Sequence, residues 1–233
     1  MIGKFKPHID ILPYAQKALW PELRNSARLG FALYGGTAIA LRLGHRNSVD
    51  FDFFSEKPLS RSAIQAAFPF IKRSTTLQDE ENTWVMLAPC GHSGQESVKV
   101  SFFGTITFGR VGEPEVTDDE VLQVASLDDL MATKVKVILQ RAEAKDYRDI
   151  AAMINAGVSL SHGLASARLL YGPNFQPSES LKALVYFNDG DLKSLTSEEK
   201  KTLVNATKGV GDLPEVRLIS NSLTSPALSP PTV

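Results

Sequence analysis

Two aspartates one residue apart, Asp50 and Asp52, follow a Gly35-Gly36-Thr37 turn in the segment YGGTAIALRLGHRNSVDFDFF, residues 34–54. On a strand, alternate side chains share a face. The carboxylates would therefore project together, about 7 Å apart, while Phe51 and Phe53 turn into a core. Two ionised carboxylates this close repel one another unless a cation lies between them. Mg2+ or Mn2+ suits such a pair. It takes carboxylate and phosphate oxygens, keeps waters, and can stabilise the entering and leaving oxygens of a phosphoryl or nucleotidyl transfer. The glycines allow a backbone to approach a ligand closely. A helix starting near Thr37, with Thr37 as its N-cap, would aim N–H groups and a positive dipole end at a phosphate. Alone, Gly-Gly is a turn and Asp-x-Asp a solvated strand edge. Here a strand-like FALY, the glycines, a short helical TAIALRL and the acidic strand stand in sequence. The GxGxxG and GxxxxGK[ST] phosphate fingerprints are absent, so neither a Rossmann nor a Walker reading is supported.

A second segment, SLDDLMATKVKVILQR, opens with a capping box of Ser126 at N-cap and Asp129 at N3, and predicts a helix over 127–142. Its apolar stripe runs through Leu127, Leu130, Met131, Val137 and Ile138, and Lys134 falls within that stripe. A lysine there either snorkels outward or reaches an anion in a cleft. Arg141 follows two helical turns later, on the same face, where both cations could approach a triphosphate. In KDYRD, residues 145–149, Lys145 and Asp149 have the spacing of a surface pair worth a few tenths of a kcal/mol. Asp146 and Asp149 lie one turn apart. Either could serve as a general base toward an acceptor hydroxyl if the fold returns this helix to the metal site.

Gly-Gly-Thr, twelve residues, then Asp-Phe-Asp resembles the first motif of polymerase-β-type nucleotidyltransferases, and the fuller string is similar to the AbiEii-like nucleotidyltransferase toxin family. The order Lys134, Arg141, Lys145-Asp146-x-x-Asp149 matches the same family. The resemblance implies an α+β core with a mixed sheet and flanking helices, followed by a helical region. It implies an NTP co-substrate whose phosphates meet Gly35, Gly36, Thr37, Lys134, Arg141 and Lys145. Asp50 and Asp52 would hold metal, and Asp146, with Asp149, would complete the site. A tRNA 3′ end or other RNA is the acceptor it suggests, and a separately encoded antitoxin the partner. Polymerase-β-type enzymes commonly carry a third carboxylate on a later strand. In ESVKVSFFG the corresponding position is Ser101, and Glu96 is the sole carboxylate of the strand. Asp146 could take that place, one metal could suffice, or the chain could be a catalytically weak module that binds a nucleotide or a partner.

These residues need elements to position them. Strands are predicted near 31–34, 49–54, 70–76, 83–88 and 97–103, with an amphipathic helix over 9–29 and another near 60–68. Helices follow at 127–142, 146–156, 160–170, 178–186 and 196–207. The expected organisation is a nucleotidyltransferase core over 1–125, a helical region over 126–212 and a flexible Ser/Pro-rich tail over 213–233. With 233 residues, 43% of them hydrophobic, the chain can bury a large core. A net charge of −1 argues against a broad basic nucleic-acid surface, though Arg42, Arg46, Lys134, Lys136, Arg141, Lys145 and Arg148 could form a local patch. No apolar run is long enough for a membrane span, and the N-terminus lacks a secretory signal, so a cytoplasmic protein is expected. The lone Cys90 excludes an internal disulfide, and its pairing with His92 as a nucleophile is disfavoured in a Gly-rich turn.

Overall fold

Alternation in DFDFF is what builds the centre of the molecule. Strand β3 (Asp50–Phe54) buries Phe51 and Phe53 completely and leaves Asp50, Asp52 and Phe54 partly exposed. In the computed structural model, which describes residues 2–90 and 96–225, β3 belongs to an eight-stranded mixed sheet. The other strands are β1 (Lys4–Phe5), β2 (Ala32–Tyr34), β4 (Thr75–Glu80), β5 (Thr83–Cys90), β6 (Glu96–Phe103), β7 (Glu115–Thr117) and β8 (Gln123–Val124), in the order β1-β7-β8-β2-β3-β6-β5-β4. β3 runs antiparallel to β2 and parallel to β6. On the buried face the rings of Phe53 and Phe102 stack with centroids 5.4 Å apart, and Phe31 and Phe68 meet Phe102 at 5.1 and 5.4 Å. Each such ring contributes on the order of 1.5–3 kcal/mol by leaving water.

The chain divides into two compact units. The first runs to Gly109 and takes in Glu113–Ala125 and the segment from Ser220; it holds the whole sheet with helices α1 (Tyr14–Leu19), α2 (Gly35–Leu43) and α3 (Arg61–Ala67). The second consists of Arg110–Gly112 and Ser126–Ile219. It is built from α4 (Leu127–Val137), α5 (Ala144–Asn155), α6 (Leu160–Tyr171), α7 (Pro177–Ala183) and α8 (Ser197–Lys208).

Several expectations are corrected. The long helix over 9–29 is a chain of short turns around α1, because Pro13 and Pro21 each remove a backbone donor and restart the chain. The strand expected at 70–76 begins only at Thr75; Pro69–Arg73 is a 3-10 turn. The helix over 127–142 stops at Val137, and residues to Gln140 tighten into i→i+3 bonds. His92 lies outside the described residues. Beyond residue 212 the segment read as a flexible tail is partly fixed. Leu223 is fully buried, its N–H and the Ser222 hydroxyl donate to Glu56, and the Ser225 N–H donates to Gln123.

Candidate active site

In the first unit, α2 starts at Gly35, two residues before the expected position. Tyr34, in extended backbone, is the N-cap and supplies no side-chain cap. Thr37 is therefore the third helical residue, and the expectation that it caps the helix is corrected. Its buried hydroxyl bonds Ser48 Oγ at 2.7 Å and donates to the Asp50 carbonyl oxygen, pinning the start of the acidic strand to the helix. Of Thr37, only the backbone is left to meet a phosphate. Gly35 has φ +76°, a left-handed conformation, and a Cβ on it would stand 2.7 Å from Asp52 Oδ2. Glycine is required twice over, by backbone angle and by the carboxylate packed against the helix start.

Strand register completes this half. Asp52 lies opposite Tyr34 on β2 and opposite Ser101 on β6, while Asp50 lies opposite Lys99. Directly paired residues share a face, so Asp50, Asp52, Lys99 and Ser101 form one polar square on the side away from the phenylalanine core. Lys99 Nζ is 3.0 Å from Asp50 Oδ2, and both side chains keep about a third or more of their surface in water. Ser101, next to Asp52, is buried, and Glu96 stands at the far end of β6 opposite Cys90. The two aspartates fit a hard divalent ion by donor type, shared face and partial exposure. Sequence reasoning overlooked Lys99. Its signal was there, two residues before Ser101 in ESVKVSFF, but it has meaning only once the β3–β6 register is known.

The second unit carries a different cluster. Lys134 neither snorkels out nor faces an open cleft: Nζ is 2.5 Å from Asp146 Oδ1 and 2.7 Å from Asp149 Oδ2, with both aspartates fully buried. Arg141 lies beyond the end of α4, off the expected helical face, and forks onto Asp146 at 2.8 and 3.2 Å. Burial tends to raise the Asp146 carboxyl, but the Arg141 hydrogen bonds and the Lys134 charge outweigh it and hold the group below the ordinary aspartate value. Lys145 turns away to Glu143, 2.7 Å off, so the anticipated Lys145–Asp149 pair does not form. Ser126 caps α4 as expected, accepting from the Asp129 N–H at 3.1 Å. The Asp129 carboxylate departs from the reciprocal box; it accepts from the Ser126 hydroxyl and from the N–H groups of Val111 and Gly112. Burial pushes that carboxyl upward despite those donors.

The anticipated basic patch is largely consumed by internal acceptors. In the first unit, buried Arg42 pairs with Glu115 and donates to the carbonyls of Val124 and Ala125. In the second, Lys134 is caged, Lys136 donates to the Asn174 carbonyl, and Arg148 engages Ser194 and Glu199.

Comparison with solved structures finds the same fold, a mixed sheet with flanking helices. A crystal structure of a candidate nucleotidyltransferase from H. pylori superposes with a TM-score of 0.54 at 18% identity, covering 83% of this chain and 91% of that one. Residues 22–215 match the family described as nucleotidyl transferase AbiEii toxin, type IV toxin–antitoxin system, and the chain belongs to that family. An uncharacterized protein of Aquifex aeolicus (strain VF5) is 32% identical over 162 residues, 68% of this chain and 74% of that protein. The protein is a nucleotidyltransferase of a toxin–antitoxin type, and its family implies an NTP substrate and a divalent metal.

Proposed function

We infer that this enzyme moves an NMP from an NTP to an acceptor hydroxyl, and that the Asp50–Asp52 face of β3 is where metal is held. The observation that carries the reading is the pair of partly exposed carboxylates on one strand face, with Asp52 packed against the glycine start of α2. The acceptor oxygen forms a bond to the α-phosphorus as the α–β phosphoanhydride bond breaks, pyrophosphate leaves, and the hydroxyl proton passes to solvent. Mg2+ or Mn2+ bound by Asp50 and Asp52 would supply Lewis-acid polarisation and charge neutralisation at the phosphates. The N–H groups of Gly35, Gly36 and Thr37 orient phosphate oxygens, while the Thr37 hydroxyl keeps the strand in place.

Lys134, Arg141 and Lys145 are proposed, on the family resemblance, as the second unit's contribution to NTP binding. Arg141 and Lys145 keep nearly half of their side chains in water, whereas Lys134 has two of its three donors committed to aspartates. Asp146 is proposed to orient the acceptor. Two cations keep it ionised and make it a weak base, which favours orientation over proton abstraction. A tRNA 3′ end is the leading acceptor and a separately encoded antitoxin the partner, with the protein working in the cytoplasm. Among the described residues no helix is long and apolar enough to cross a membrane.

Ser101 beside Asp52 favours a second reading, a weak enzyme retained as a nucleotide- or partner-binding module. One experiment separates the two. Purified protein and Asp50→Ala are incubated with each labelled NTP, Mg2+ and total tRNA, and label is followed on a denaturing gel. Transfer by the native chain and a loss of about a thousandfold or more in the variant, with circular dichroism unchanged, is the expected result. No transfer to RNA or protein by either would leave another acceptor or the binding module.

A further inference from the structure

We propose that Lys99 is a built-in cation of the metal site, standing where a second divalent ion would otherwise be needed, so that Asp50 and Asp52 serve a single metal ion. The inference rests on the metal reading of this strand face. Its grounds are register, distance and charge. Lys99 lies directly opposite Asp50 across the β3–β6 ladder, with Nζ 3.0 Å from Oδ2, and Ser101 lies directly opposite Asp52 on the same face. Among the described residues no group of three or more His, Cys, Asp or Glu gathers to hold a metal ion.

Two aspartates and one lysine leave this strand face with one net negative charge. Three carboxylates without a lysine would leave three. The difference of two positive charges is that of one divalent cation. Two such ions on the present face would crowd four positive charges beside an ammonium with only two carboxylates to offset them. One ion leaves the face with the same net charge that two ions would leave on three carboxylates, without displacing Lys99 from reach of it. Lys99 is well placed for the role. Its backbone is fixed by ladder bonds on both sides, to β3 and β5, while its side chain stays 40% exposed and able to swing. It is a charge-compensating and positioning residue for Asp50.

The test counts ions rather than turnover. Equilibrium dialysis of the full chain against Mn2+ alone, with bound metal read by electron paramagnetic resonance, is expected to give one ion per chain for the native protein. Lys99→Met, which keeps the apolar stem, should bind that ion at least tenfold more tightly because the competing ammonium is gone. Lys99→Met combined with Ser101→Asp should bind two. Two ions on the native chain, or Lys99→Met with unchanged affinity, would overturn the proposal. Asp50→Asn is the separate control. If it binds Mn2+ as the native chain does, the metal reading of this face fails, and the role of Lys99 fails with it. Circular dichroism and thermal melts of each variant establish that the sheet is intact.

Discussion

The two charged clusters of this molecule are built from the same residue types and held in opposite ways. On the β3–β6 face, Asp50 and Lys99 meet in a half-solvated pair, with neither charge sealed off. In the second unit, Lys134 is locked between Asp146 and Asp149, all three nearly or wholly inaccessible, and Arg141 closes over Asp146. A half-exposed pair costs little to open and can exchange its partner for a ligand. A buried triad can be opened only by leaving charge uncompensated in a poor dielectric. The first cluster is organised for exchange, the second for permanence.

Replacing Lys134 is the strongest way to break this contrast. Lys134→Met should cost about 3–5 kcal/mol of unfolding free energy in urea titrations, because two buried aspartates lose their shared cation. Asp50→Asn should leave the urea midpoint unchanged or raised. If Lys134→Met kept its stability and lost only NTP affinity, the triad would have a binding role alone, with no structural one, and the contrast would collapse. Gly35→Ala probes the first cluster through its backbone. A side chain at φ +76° costs about 1–3 kcal/mol, and the added carbon displaces the Asp52 carboxylate. Transfer should fall by about 10–100-fold, measured as kcat/KM, with a smaller loss of stability than Lys134→Met shows.

Acid gives the mildest perturbation. The Asp146 carboxyl is held below its ordinary value of 3.8 in the folded chain. Its stabilising contribution is therefore complete above that value and is lost as pH falls through the lower folded value. Urea midpoints should drop between pH 5 and strongly acidic solution, and Asp146→Asn should flatten that drop.

Much of the first cluster was legible from the sequence. Period-two alternation in VDFDFF put both aspartates on one face, and the Gly-Gly pair marked the turn that receives them. What escaped depended on pairing across distance. Lys99 acquires its neighbour only through the parallel β3–β6 register, and β1, β7 and β8 are too short to show any periodicity. Thr37 misled because a threonine beside glycines is a good N-cap by type, yet Gly35 could enter the helix itself and leave the hydroxyl to bind Asp50 and Ser48. The Lys134 cage was hidden because its partners sit on α5, after a turn at 138–140 that contains no glycine or proline to announce it.

The return of residues 220–225 to the first unit bears on how the chain is made. Glu56, early in the sequence, receives Ser222 and Leu223 from 166 and 167 residues downstream. Synthesis runs from the N-terminus, so the sheet unit cannot close its last contacts until the whole of Ser126–Ile219 has been polymerised. The helical unit has all of its residues first, and a nascent chain stopped short of Leu223 carries both aspartates in a sheet unit that is still unfinished.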